Sequence, residues 1–413
     1  MDVDEFKQVN DTHGHDVGDL LLLAVRDRLL AAAAGTGLVA RLGGDEFVVL
    51  TAPGHLGPVA DRLLDELRTP LVVGDLTVRV GASIGLATAE DLGSLLTHAD
   101  IAMYAAKSAG GGRVATFHPR MRTQLSARYA LGDDVRQLLG TEESPVGRLE
   151  VHFQPVVDLL TGETVSAEAL VRWRHPAHGL LTPDAFLGLV SANDLDTRLD
   201  TAVLRATVDH LRRWQDEGRA VVPVSVNLTG ASLDDPDLAT TVLTVLADAG
   251  VPATSLRVEI TEQDEVDGSG PAAASLHDLR SAGVLVLLDD YGTGYTSLDY
   301  LRRFPVHVLK LDRSLVADPP RTGDADAAPD AIERTRVVAA VTAMAVHLGL
   351  HVIAEGVETP AQRAELVALG VRQAQGYLFS RPVPADEFAA AHLPRGERTA
   401  TTGDASAARP ALR

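Results

Sequence analysis

The second half of this chain predicts an α/β fold built on a closed (β/α)8 TIM-type barrel, placed behind a smaller α/β unit. Eight short apolar runs lie between residues 151 and 380, and most of the intervals between them can hold a helix. The runs are rich in Leu and β-branched residues, as parallel strands covered on both faces are. Most of them end in polar or acidic residues, and in such barrels the active site sits at the C-terminal ends of the strands.

Each run carries its own chemistry. HFQPVVDL (152–159) holds Gln154, and AEALVRW (167–173) holds Glu168 and Arg172. VPVSVNLT (222–229) ends near Asn227, LRVEITE (256–262) on Glu259 and Glu262, and VLVLLDDYG (284–292) on Asp289 and Asp290. VHVLKLD (306–312) brings Lys310, HVIAEGVE (351–358) brings Glu355 and Glu358, and AQGYLFS (374–380) brings Gln375. The segment ADPPRTGDADAAPD (317–330) interrupts the barrel with the composition of a flexible loop. Residues 1–118 mix strands (FVVL at 47–50, LTVRVGASIGLA at 76–87) with helices over 20–34, 58–68 and 92–108. Residues 119–125 read as a hinge, and the barrel domain runs from a helix at Ser126–Leu139 to about residue 392. The tail, 393–413, has no periodicity and reads as disordered.

The composition narrows the chemistry. At 413 residues, 46% hydrophobic and 23% charged, the chain is an ordinary globular sequence. It has no cysteine, so any metal must take oxygen or imidazole ligands. A net charge of −20 argues against nonspecific binding of nucleic acid or anionic membranes. No apolar run approaches the ~20 residues of a membrane helix, and the N-terminus lacks a signal-peptide pattern. A cytoplasmic protein is expected.

The ring of Glu168, Asn227, Glu259, Asp289, Asp290 and Glu355 reads as a metal site. Taken alone, Asp289-Asp290 before Gly292-Thr293-Gly294 is equally a solvated turn capping a helix. Three further glutamates at strand ends tip the balance, because clustered carboxylates repel and raise one another's pKa unless a cation is present. Oxygen ligands of this kind suit Mg²⁺ or Mn²⁺ rather than zinc. A pair of such ions can activate water for in-line attack on a phosphodiester. Lys310, the one cation in the ring, either pairs with a ligand carboxylate or positions the water or phosphate. Arg172 is either a surface residue or a fork for a phosphate oxygen. His175, His347 and His351 are isolated and read as packing or surface residues.

In order, FQP, EALVRW, VNL, EITE, DDYGTGY, KLDRS, AEGVE and QGY resemble the motifs of the EAL family of cyclic di-GMP phosphodiesterases over residues 126–392. The resemblance implies cleavage of one phosphodiester of cyclic di-GMP to give pGpG, with two Mg²⁺ or Mn²⁺ ions. It implies metal ligands at Glu168, Asn227, Glu259, Asp289 and Asp290. Lys310 and Glu355 would activate or position water with Gln375 nearby. Glu262 would anchor the DDYGTG loop, Glu358 would support the seventh strand end, and Gln154 and Arg172 would contact substrate. Tyr291, Thr296 and Thr229 replace the usual Phe, Ser and Ser, and none of these changes removes a ligand.

RLGGDEFVVL (41–50) with DVDEFKQVNDTHGHDVGD (2–19) resembles the GGDEF diguanylate cyclase family, whose ferredoxin-like or palm-type sheet condenses two GTP molecules as a homodimer. The resemblance implies metal at Asp2 and Asp45, guanine at Asn10 and Asp19, and phosphate at Lys7 and Lys107. The run Gly43-Gly44-Asp45-Glu46 would form a tight hairpin turn close to nucleotide. Three departures weigh against cyclase activity. Met1 falls where the family's first strand is already ending, Gly110-Gly111-Gly112 replaces the usual Gly-Arg-Asn, and residues 34–37 lack the inhibitory RxxD. An upstream continuation carrying a sensor or membrane segment would account for Met1. The expectation is therefore a phosphodiesterase whose N-terminal unit regulates it or supports a homodimer. A bifunctional enzyme using GTP and a nonenzymatic cyclic di-GMP receptor are the alternatives.

Overall fold

The computed structural model describes residues 1–74, 76–88, 92–141, 144–261, 270–292, 301, 304–316 and 327–395, with side chains at all of these except 92 and 327–332. The chain forms two compact units, Met1–Leu131 and Gly132–Arg413.

In the first unit, strands β1 (Asp2–Val3), β2 (Gly37–Gly43), β3 (Glu46–Thr51), β6 (Ala82–Leu86) and β7 (Val114–Thr116) form one sheet in the order β2-β3-β1-β6-β7, while β4 (Leu71–Val73) and β5 (Leu76–Val78) form a separate hairpin. Helices α1 (Phe6–His13), α2 (His15–Ala32), α3 (Leu56–Arg68) and α4 (Leu92–Ser108) complete it. Leu21, Val25 and Leu29 recur at helical spacing on α2 and pack with Leu63 and Leu67 of α3 against Val3, Phe47 and Ile84. The run 76–87, read as one strand, is broken at 79–81, where the chain leaves the β4–β5 hairpin to join the main sheet as β6. Gly85 lets α4 lie directly on β6, since a Cβ there would overlap the Ala99 carbonyl and the Met103 amide.

Residues 119–125, expected as a hinge, begin helix α5 (Pro119–Gly140), with proline at its first position. The barrel ring consists of β8 (Arg148–Asp158), β9 (Thr164–His175), β11 (Val224–Asn227), β12 (Leu256–Thr261), β13 (Leu285–Tyr291), β14 (Val306–Leu311), β15 (His351–Ala354) and β16 (Gln373–Ala374), and β8 closes it by pairing with both β9 and β16. Short strands β10 (Gly179–Leu181) and β17 (Val383–Pro384) add to β9 and β8. Helices α6 (Pro183–Ser191), α7 (Asp196–Asp216), α8 (Gly230–Leu233), α9 (Leu238–Ala249), α10 (Pro271–Ala282), α11 (Arg313–Val316), α12 (Ala327–His347), α13 (Pro360–Ala368) and α14 (Ala385–His392) lie between and after the strands. On α7, Leu199, Val203, Leu204, Val208, Leu211 and Trp214 form its buried stripe.

The barrel departs from a wholly parallel ring at β8, which runs antiparallel to both neighbours. Residues 159–163 alone link β8 to β9, with Gly162 at φ 75°. That is a hairpin connection, since a parallel crossover needs a dozen residues or more. Of the eighth apolar run only Ala374 lies in a strand, as the second residue of β16. Beyond it the chain bonds irregularly to the segment after β15, with Val357 N–H donating to the Gln375 carbonyl (3.1 Å) and Leu378 N–H to the Val357 carbonyl (2.9 Å). Inside the barrel Val156, Leu287, Val308 and Ile353 pack together as an apolar floor. Two residues further along their strands stand Asp289, Lys310 and Glu355, on the same face by the two-residue period of a strand. In the reversed strand β8, Gln154 precedes Val156 and pairs with Glu168, so it reaches the same end of the barrel.

Candidate active site

The acids predicted from the strand ends converge on one lysine. Lys310 is 1% exposed, and its Nζ lies 2.7 Å from Glu259 Oε2, 2.7 Å from Glu355 Oε1, 3.1 Å from Asp289 Oδ2 and 3.4 Å from Glu168 Oε2. Gln375 Nε2 donates to Glu168 Oε2 and to Glu355 Oε1, each at 2.7 Å, and ties opposite sides of the ring together. Asn227 Nδ2 donates to Glu168 Oε1 at 3.0 Å, leaving its own side-chain oxygen as an acceptor.

Strand geometry alone would send Asp289 and Asp290 to opposite faces of the sheet. A bulge changes this. Between Leu288 and Tyr291 the register against β14 gains a residue, and Asp290 takes a left-handed φ of 54°. Asp290 then joins Asp289 and Glu355 in a group whose oxygens lie within 4.8 Å of one another, and Asp289 also belongs to a second such group with Glu168 and Glu259.

The electrostatics follow from burying so many like charges. Burial pushes Glu259 well above the usual carboxylate range; Lys310 opposes the rise, and Glu168 and Asp289 add to it. Burial likewise raises Glu355 to about 8 against the pull of Lys310, with Asp289 and Glu168 adding to the rise. Asp290 is raised by burial, then by Asp289 and Asp312. Burial pushes on Glu168 too, yet Lys310 and the hydrogen bonds from Gln375 and Asn227 leave it below its ordinary value. Burial would pull Lys310 down, but Glu168, Glu259, Glu355 and Asp289 hold it well above the usual lysine value.

This donor set fits hard divalent cations. The two acid groups share Asp289, and their potential ligand atoms are all oxygen, with no histidine among them. Gln375 Oε1 is buried without a hydrogen-bond partner, one more oxygen acceptor left unanswered within the ring.

The remaining expected residues lie nearby or elsewhere. Gln154 Nε2 donates to the Ser380 carbonyl at 3.0 Å. Gln154, Glu355 and Gln375 line a cavity of about 160 Å³ with Arg313 and Tyr377. Arg172 is buried, its Nη1 donates to the Val171 carbonyl, and burial lowers its pKa despite nearby Tyr377 and Glu168. Glu358 faces Arg313 at 3.3 Å rather than the acid ring. Glu262, Thr293, Gly294 and Thr296 lie outside the described residues. Arg313 was not anticipated, although its place three residues beyond Lys310 was the available signal.

In the N-terminal unit, Lys107 Nζ lies 2.8 Å from Asp2 Oδ1, and that bond raises the lysine's pKa, with Asp45 and Asp4 contributing. Asp45 comes beside β1 through its carbonyl, which accepts from Val3 N–H at 3.3 Å, while Glu46 stands opposite Asp2 in register. Gly43 ends β2 opposite Glu46, and Gly44-Asp45 form the β2–β3 hairpin turn, with Gly44 at φ 51°. Lys7 and Asp19 are exposed on α1 and α2, and Asn10 Oδ1 is buried without a partner against Gly18. Asp4 accepts from the Gly112 amide at 2.7 Å, and a Cβ on Gly111 would meet the same carboxylate at 2.9 Å. The turn where an arginine is usual in the cyclases is closed onto Asp4.

Two carboxylate groups around a buried lysine thus stand together at the end of an eight-stranded barrel where such barrels keep their active sites, and their oxygens are close enough to hold metal ions. The chain belongs to the EAL domain family, whose model matches residues 141–382. Residues 1–113 match the diguanylate cyclase, GGDEF domain, so the chain is a GGDEF–EAL tandem. It is 37% identical over 392 residues to the cyclic di-GMP phosphodiesterase NbdA of Pseudomonas aeruginosa, covering 93% of this chain and 48% of that protein. It is 36% identical over 397 residues to the bifunctional diguanylate cyclase/cyclic di-GMP phosphodiesterase MucR of the same organism, covering 94% and 56%. The chain thus spans about half the length of these curated relatives. Among solved structures, the PaMucR phosphodiesterase in its c-di-GMP complex is 34% identical with a TM-score of 0.54, covering 64% of this chain and 99% of that one. Among the described residues no helix is long and apolar enough to cross a membrane.

Proposed function

We propose that this chain is a Mg²⁺- or Mn²⁺-dependent phosphodiesterase that opens one phosphodiester of cyclic di-GMP to give pGpG. The observation that carries the reading is the pair of acid groups sharing Asp289 around Lys310. Glu168, Asn227, Glu259, Asp289 and Asp290 would hold two ions. When bound, such ions lower the pKa of water and stabilise charge on phosphoryl oxygens. Glu355, already biased toward carrying a proton, and Lys310 border the place where water would stand. Gln375 fixes Glu168 and Glu355 relative to each other, and Gln154 and Arg172 face the substrate. The purified protein with Mn²⁺ and cyclic di-GMP is expected to release pGpG, and Glu168→Ala to reduce this by about 10³-fold or more. Turnover surviving that substitution would sink the assignment.

The N-terminal unit is read as regulatory or dimerising. A second reading, residual cyclase activity, draws support from the intact hairpin turn beside Asp2. Against it stand the Lys107–Asp2 ion pair and the turn closed onto Asp4. Glu168→Ala protein supplied with GTP is expected to form no cyclic di-GMP, and its appearance would establish the bifunctional reading.

A further inference from the structure

Helix α7 carries a carboxylate that the proposed chemistry does not use. Asp200 is buried at 8% exposure on a helix face whose other buried residues are apolar apart from Thr207, and among the described residues no salt bridge to it is found. Its Oδ2 accepts three hydrogen bonds, from Thr229 N–H at 2.8 Å, the Thr229 hydroxyl at 2.8 Å and the Ser232 hydroxyl at 2.7 Å. All three donors belong to the turn that follows Asn227. Thr229 stands at the N-cap of α8, yet its side chain makes no capping bond to its own helix. Its hydroxyl is committed to Asp200 instead. A carboxylate taken out of water is costly unless its hydrogen bonds are met, and these three donors meet those of Oδ2.

What it holds is the end of β11. Upstream, Asn227 is fixed by its pairing with Glu259, and Leu228 N–H donates to the Glu259 carbonyl at 2.9 Å. Downstream, the only side-chain anchors found on this turn among the described residues are those to Asp200. Asn227 itself stands between these two restraints with its amide on Glu168.

We propose that Asp200 is a positioning residue for the metal centre: by clamping Thr229 and Ser232 it keeps the Asn227 side-chain oxygen turned to the ligand ring. The proposal rests on the metal-centre reading given above. It is tested on the full chain by titrating Mn²⁺ and following the free ion by electron paramagnetic resonance, without substrate. Asp200→Ala is expected to weaken Mn²⁺ binding by about 10-fold or more, in the range found for groups that orient ligands. Asp200→Asn, which keeps an acceptor oxygen, should lose less, and Thr229→Ser should match the wild type. Val208→Ala, which empties a buried site on the same helix, controls for stability: it should lower the melting temperature and leave Mn²⁺ affinity unchanged. If Asp200→Ala binds Mn²⁺ like the wild type, or Val208→Ala weakens it equally, the positioning role is overturned. Should Asp200→Ala fail to fold, the decision passes to Asp200→Asn and Thr229→Val, of which the second must weaken binding. A wild type that binds Mn²⁺ without cleaving cyclic di-GMP defeats the phosphodiesterase reading and leaves this test intact. A wild type that binds no Mn²⁺ defeats both.

Discussion

Lys310 neutralises part of a charge cluster with which no other described cation forms an ion pair. Removing one partner of a buried ion network leaves the other charges uncompensated, which typically costs about 3–5 kcal/mol. Lys310→Met is therefore expected to lower the stability of metal-free protein by about that amount in urea unfolding. With saturating Mn²⁺ the loss should shrink, because bound ions would supply the missing positive charge; an equal loss in both conditions would contradict the arrangement. Most of these residues were legible in the sequence because each closes an apolar run, and strand ends are where a barrel gathers its chemistry. The joint orientation of Asp289 and Asp290 was not. It depends on a one-residue bulge and a left-handed φ, and two consecutive letters carry no sign of either. Asp200 was equally hidden, since one acid in the charged helix sequence DTRLDTAVLRATVDHLRRWQD looks like any solvated residue until the fold buries it.

At the level of elements, the hairpin formed by β8 and β9 departs most from expectation. Its rim is held by Glu150, which accepts from Arg174 Nε (2.5 Å) and Nη2 (2.8 Å) and from Arg148 Nη2 (2.9 Å). The Arg174 bonds first, and Arg148 with them, depress the Glu150 pKa. A depressed carboxylate contributes stability above its unfolded pKa, and that contribution is lost as pH falls through the folded value. Glu150→Gln should accordingly lower the melting temperature by ~2 °C at pH 7, with the difference shrinking once pH falls below the ordinary glutamate pKa and gone when it has passed the lowered folded value. A difference independent of pH would show that packing, rather than charge, holds the rim. On the other unit, Gly85→Ala is expected to cost about 1–3 kcal/mol through overlap with α4. The strands expected in the barrel could be read because each is a continuous apolar run that closes on polar or acidic residues. The elements β1 and β2 left no comparable trace: β1 has two residues, and β2 is exposed along nearly its whole length. Reading eight parallel strands failed at β8 because a buried antiparallel strand has the same apolar composition, and only the short link at 159–163 distinguishes it.

For the whole molecule, two units with separate cores predict separable unfolding. Calorimetry should resolve two transitions, and Mn²⁺ should move one of them, by about 2.7 kcal/mol at a hundredfold excess over its dissociation constant. If both transitions move together, the units do not unfold independently. The ring itself also constrains the order of events during synthesis. Strand β8, the first of the barrel to leave the ribosome, finds its second neighbour only in Gln373–Ala374, and Val383–Pro384 then pairs along it. Until those residues emerge, β8 and β15 are open edges, and Gln375 is not there to bridge Glu168 and Glu355. A chain stopped short of residue 373 would therefore carry every acid of the ring and still lack both the closing strand and the amide that ties Glu168 to Glu355, so that the ring is completed only when nearly all of the barrel has been translated.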